Sequence, residues 1–236
     1  YNGSHNQVGS SIYANAVWAL TPADAKVRFL NLSTYWNNPT YDTYVAGSGP
    51  QTPPPRHTYG AFKYVPKYKN IYMAFGACAH TASCDATNIW KYHVPTNTWT
   101  KLTAPLPDTE IGGYDAQFTW LPGSDTLWTM TQNGGTWVNL YAFNLATETW
   151  SQAINYGVRT YQSRHAAEDT LRKRILYLSA TGYHFLNPAT RTMVKFADSA
   201  GGIPANGVMA YISKYDRYLI YNAGSRQVWT LNPADT

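Results

Sequence analysis

The sequence predicts an all-β protein built from repeated four-stranded antiparallel sheets, stacked as the blades of a propeller. Three observations lead there. Hydrophobic residues make up 44% of the 236-residue chain and charged residues only 13%, with 20 Tyr and 9 Trp, a balance that favours a packed β chain over a disordered one. The 17 Gly and 14 Pro supply the turns that many short strands require. The third observation is a repeat.

The stretch "WKYHVPTNTW" (Trp90 to Trp99) matches "YAFNLATETW" from Tyr141 and "HFLNPATRTM" from His184. A truncated copy, "WTLNPADT", begins at Trp229, and a fainter one, "WALTPADAKV", at Trp18. Each reads as an alternating strand, a turn of the type N-P-A-T-x-T, and a second strand opening on a large apolar residue. The lead residues are spaced by 72, 51, 43 and 45, and the last three spacings suit four-stranded propeller blades. The long first spacing reflects an insert, "STYWNNPTYDTYVAGSGPQTPPP" (Ser33 to Pro55), whose Pro, Gly, Ser and Asn read as a surface loop.

A second pattern precedes each copy. "RHTYGAFKYVPKYKNIYMAFG" (from Arg56) pairs with "GGYDAQFTWLPGSDTLWTMTQNG" (from Gly112), "YQSRHAAEDTLRKRILYLSATG" (from Tyr161) and "NGVMAYISKYDRYLIYNAG" (from Asn206). Each predicts strand, polar turn, strand and a Gly-containing loop, with hairpin turns at "PKYKN", "PGSDT", "DTLRKR" and "SKYDR". One repeat therefore holds four strands. A single such sheet cannot bury both faces, whereas stacking sheets around an axis does. The paired aromatics of the opening stretch are then the side chains that fill the gaps between blades. Residues 1–236 form one propeller domain or segment: a partial blade at 1–32, the insert loop at 33–55, blades at 56–104, 112–153 and 160–197, and a partial blade at 206–236.

The pattern R-H-x-Y…(I/L)-Y-x-x-x-G followed by W-x-Y/F…T-x-T-W resembles kelch or galactose-oxidase-type β-propeller repeats, including bacterial kelch-like proteins, over nearly the whole chain apart from the insert. That resemblance implies a ring of six or seven blades. Three complete and two partial blades lead to the expectation of an incomplete segment of a larger propeller, with a missing part or another chain completing it. Such propellers host enzymes, glycan binders and scaffolds alike, so fold does not name function.

In a propeller the first strand of each blade lines the central channel, and several blades converge at its mouth. Aligning first strands gathers Arg56, His57, Tyr114, Tyr161, Arg164 and His165, with His5 in a neighbouring loop. As an enzyme, the chain would resemble propeller lyases: His57 with Tyr114 or Tyr161 as acid and base, and Arg56 or Arg164 neutralising a uronate carboxylate. The resemblance to galactose oxidase would imply copper and a Tyr–Cys cross-link. Cys78 and Cys84, the only cysteines, lie together in "ACAHTASCD", so neither is placed for it. No cofactor and no metal are expected. The bland alternative is that the Arg–His pairs are hydrogen-bonded structural groups at the channel mouth. His80, His93 and His184 are assigned no role. On the surface, "STYWNNPTYDTY" places Tyr35 and Trp36, with His5 and His165, as candidates for stacking on a sugar or a protein partner.

The net charge is +5, yet no Lys/Arg run reads as a nucleic-acid patch, and "LRKR" (Leu171 to Arg174) reads as a solvated turn. No apolar run reaches a membrane span of ~18 residues. Cys78 and Cys84 are either a small disulfide, suiting an extracellular setting, or two thiols. The function expected is an extracellular or surface-associated binding or scaffold module. Its partner would be a glycan or a protein, within a larger assembly such as a virion appendage or cell-surface complex. A secreted polysaccharide lyase is the alternative.

Overall fold

The computed structural model describes residues 17–21, 26–31, 56–57, 60–74, 77–78, 89–104, 117–133, 137–151, 154–155, 166–179, 182–197, 207–222 and 225–235. Strands β1 (Val17–Thr21) and β2 (Lys26–Asn31) form a hairpin. Four antiparallel sheets follow as the four blades of a propeller. The first blade holds β4 (Phe62–Val65), β5 (Asn70–Met73), β7 (Trp90–His93) and β8 (Thr98–Lys101). The short pair β3 (Arg56–His57) and β6 (Ala77–Cys78) lies beyond the β4–β5 hairpin, at the end away from its turn. The second blade holds β9 (Gln117–Trp120), β10 (Thr126–Asn133), β11 (Trp137–Asn144) and β12 (Thr149–Trp150), with β13 (Ile154–Asn155) also on β11. The third holds β14 (Ala166–Asp169), β15 (Arg174–Ser179), β16 (Gly182–Asn187) and β17 (Thr192–Ala197). The fourth holds β18 (Gly207–Ile212), β19 (Arg217–Asn222) and β20 (Gln227–Leu231). Among the described residues the only helical pieces are single 3-10 turns, so no described helix is long and apolar enough to cross a membrane.

The recurring decapeptide is the third strand, turn and fourth strand of a blade, as its pattern predicts. Its chemistry explains its composition. Asn144 Oδ1 accepts hydrogen bonds from the backbone N–H groups of Ala146 and Thr147, and Asn187 Oδ1 from those of Ala189 and Thr190. This is the side-chain-to-backbone turn that Asn favours. The two threonines of each copy join hydroxyls at 2.7 Å: Thr96 with Thr98, Thr147 with Thr149, Thr190 with Thr192. The variable residue between them is left-handed in every copy, at Asn97, Glu148 and Arg191. The bend that reverses the strand sits there.

Side chains alternate between the two faces of each sheet, and the facing sides of neighbouring blades become core. The face of the first blade turned to the second buries Ala61, Tyr72, Ala74 and Ile89 against Phe118, Leu127 and Tyr141. Trp128, Leu140 and Ala142 meet Ile175 and Tyr177 at the next seam, and Leu176, Leu178 and Phe185 meet Met209, Tyr218 and Ile220 at the third. Each fully buried large side chain contributes about 1.5–3 kcal/mol. The lead aromatics Trp90 and Tyr141 are buried: Tyr141 fills the seam between the first and second blades as expected, whereas Trp90 packs with Met73, Tyr92 and Trp99 on the first blade's other face. His184 stands in the same column and is buried too, in β16.

The inner strands β4, β9, β14 and β18 are neighbours in that order. Where β4 approaches β9, Gly60 bridges in parallel to Gln117, and its carbonyl accepts the Phe118 N–H at 3.0 Å. A Cβ on Gly60 would lie 2.8 Å from Gln117 Cγ, so only glycine lets the two strands come this close.

Candidate functional site

The blade ends differ in what they place. Arg56 and His57 lie in β3, with Cys78 opposite Arg56 on β6. Tyr114 precedes β9, and Tyr161, Arg164 and His165 precede β14. These four, with His5, Tyr35, Trp36 and Cys84, lie outside the described residues. Ten described charged side chains instead lie at the opposite end, in or beside the turns joining the first and second strands of each blade.

Those four turns occupy equivalent places: Pro66–Lys69, 122–125, 170–173 and Ser213–Asp216. Two of them, "PKYK" and "SKYD", are 3-10 turns closed by a left-handed residue, Lys69 and Asp216. Lys173, at the same place in the third blade, is also left-handed. Together with Arg174 and Arg217 just after them, these turns hold seven cations: Lys67, Lys69, Arg172, Lys173, Arg174, Lys214 and Arg217. Three carboxylates oppose them: Asp125, Asp169 and Asp216. Over these positions the difference is +4, beside +5 for the whole chain.

The carboxylates are bound by neighbours. Lys67 Nζ and Tyr68 OH both donate to Asp125 of the next blade, the tyrosine at 2.6 Å. Their hydrogen bonds hold the Asp125 carboxyl below its ordinary range, and the same bond raises Tyr68. Arg172 grips Asp216 across the third seam, and Tyr211 OH adds a third hydrogen bond at 2.7 Å. Arg172 first, then Tyr211, hold the Asp216 carboxyl well below the usual range, while burial and the bond to Asp216 push Tyr211 up to about 12. Asp169 is fully buried. It accepts from the Arg172 N–H at 2.9 Å, from Arg172 Nη1 and Tyr218 OH at 3.2 Å, and from Arg174 Nε at 3.1 Å. Arg174 also donates to the Pro233 carbonyl at 3.0 Å, and its guanidinium lies 3.7 Å from the Phe185 ring centre. "LRKR" is thus the exposed turn expected at Leu171, Arg172 and Lys173, and both its arginines also contact the buried Asp169.

Nearer the axis, Lys63 of β4 and Glu168 of β14 form an ion pair over the intervening strand, where Glu168 also accepts the Trp120 N–H at 3.1 Å. Lys69 and Lys173 stand apart from these networks as exposed cations at turn tips. Leu171 and Tyr64 are exposed as well, at 59% and 47%. Among the described residues, no three His, Cys, Asp or Glu side chains gather as a metal site. The arrangement supplies fixed cations with apolar and aromatic surface, a chemistry of holding anions.

No protein-family model matches the chain, and no curated protein matches it. Among solved structures, it is similar to an auxiliary nutrient binding protein from Bacteroides ovatus, with a TM-score of 0.48 and 14% identity over 74% of this chain and 41% of that one. It is also similar to an auxiliary nutrient binding protein from Bacteroides thetaiotaomicron, with a TM-score of 0.46 and 10% identity over 72% of this chain and 40% of that one. The matched region is well under half the length of either protein.

Proposed function

We propose that this chain is a binding propeller, acting outside the cell or at its surface, whose ligand is an acidic carbohydrate held on the turn end of the blades. The observation that carries this reading is the concentration of charge there: seven cations against three carboxylates, each of the three already accepting a hydrogen bond from a neighbouring blade. The surplus falls on cations such as Lys69 and Lys173, fixed at turn tips by the backbone. A patch of one sign raises the local concentration of an oppositely charged ligand and its rate of capture. Exposed Tyr64 supplies a ring face on which a sugar can stack.

A glycan array tests the proposal. Acidic oligosaccharides are expected to bind, neutral ones of the same length are not, and the signal is expected to weaken with salt as screening shortens the reach of the patch. Incubation of bound oligouronates is expected to leave them intact. Appearance of unsaturated uronate absorbance would instead make the chain a lyase.

A further inference from the structure

The fourth blade repeats the first in detail but lacks what covers it. In the first blade, Ala61, Tyr72, Ala74 and Ile89 are all 0% exposed, sealed by the second blade. The equivalent positions of the fourth blade are Val208, Leu219, Tyr221 and Val228. Val208, Tyr221 and Val228 lie in one cross-strand row, because Val208 pairs with Tyr221 and Tyr221 with Val228. They are 59%, 41% and 60% exposed. The third blade's corresponding Leu176 and Leu178 are buried against the fourth.

A second, independent observation says what fits this face. Lys67 and Tyr68 of the first blade clasp Asp125, the last turn residue of the following blade. Lys214 and Tyr215 hold the same places in the fourth blade. The ammonium lies 5.3 Å from the ring centre, much as Lys67 lies 5.5 Å from Tyr68. Tyr215 is 65% exposed. The apolar row and the Lys–Tyr clasp therefore occur together, on the side where every earlier blade meets its successor.

We infer that the fourth blade is a docking surface for a further blade of the same repeat, distinct from the four described blades and carrying a carboxylate as its last turn residue. A second copy of this chain does not meet that requirement with its described blades. Its two turn carboxylates at that place, Asp125 and Asp216, are already bound within their own copy.

The chain's own repeat provides the probe. Trp229 aligns with Trp90, so residues 98–153 appended after Thr236 would complete the fourth blade's outer strand and add a blade bearing its own Asp125. A control extension of residues 98–104 adds the outer strand alone. Amide hydrogen exchange of β18, β19 and β20 is the readout, since opening of a covered sheet slows exchange. The long extension is expected to slow exchange at least ~10-fold beyond the short one, a change on the scale of covering a sheet face. Lys214→Ala, or Asp125→Asn in the appended copy, is expected to reverse part of that gain. Equal exchange with the two extensions overturns the inference. So does a dimer of the unextended chain that Val208→Lys returns to monomer, because a second copy would then occupy the face.

Discussion

Arg172 and Asp216 form a two-pronged ion pair across the seam between the third and fourth blades, Nη1 to Oδ1 and Nη2 to Oδ2 at 2.7 Å each. Tyr68 and Asp125 occupy the same turn positions at the first seam. The repeat thus joins alternate seams tip to tip, with a donor late in one turn and a carboxylate at the end of the next.

That geometry sets an acid response. Asp216 titrates below its ordinary value of 3.8 in the folded protein, so its contribution is complete above that value and is lost as pH falls through and below it. Asp216→Asn keeps a residue type that accepts the left-handed backbone but removes the charge. Thermal unfolding followed from pH 5 to pH 2 is expected to show a shallower decline in Asp216→Asn than in the parent chain. Identical declines would mean the pair adds no net stability in water, as exposed pairs often do not.

Asp169 is the more consequential carboxylate. Its removal leaves Arg174, Arg172 and Tyr218 without their shared acceptor inside the seam. Asp169→Ala is expected to cost about 3–5 kcal/mol in urea unfolding, the range for breaking a buried ion pair. A loss below about 1 kcal/mol would show that water takes the place of the carboxylate.

His184 supplies a neutral-range response. Burial first, and the charge of Lys195 second, lower its pKa from the ordinary 6.5. The unfolded chain then takes up a proton that the folded one refuses, so stability falls as pH drops below about 6.5. His184→Tyr places there the residue type that the second blade uses at Tyr141. It is expected to flatten melting temperature against pH between about 6.5 and 5, the range in which an unperturbed histidine charges.

The strand order and the seam-filling Tyr141 and Trp229 were readable because they recur in register, at the head of the same decapeptide that Trp90 heads in the first blade. His184 heads it too, and its column foretells burial even though its residue type does not. The tip contacts were harder to read. "KYK", "SKYD" and "PGSD" are visible in the chain, but that Tyr68 meets Asp125 depends on which turns the ring makes adjacent. "LRKR" is a solvated turn as its charge suggests, but nothing local shows that its arginines also reach the buried Asp169. Of the channel-mouth set, Arg56 and His57 lie in β3 and the others lie outside the described residues.

The left-handed turn tips give a prediction about the backbone. Lys173 adopts φ 52°, a region that costs a side-chain-bearing residue roughly 1–2 kcal/mol. Lys173→Gly removes that cost while giving the unfolded chain more freedom, for a net gain of about 0.5–1 kcal/mol in unfolding free energy. The same change removes one tip cation, so it is expected to stabilise the fold while weakening the ligand.

The direct test of the binding account is calorimetric titration of the chain with an oligogalacturonate, beside Lys69→Ala/Lys173→Ala and an uncharged oligosaccharide of equal length. Saturable binding of the acidic oligomer is expected, roughly 3–10-fold weaker in the double variant for the loss of two exposed charge contacts, and none of the neutral one. Equal affinity of parent and variant, or equal affinity for the neutral oligomer, would contradict it.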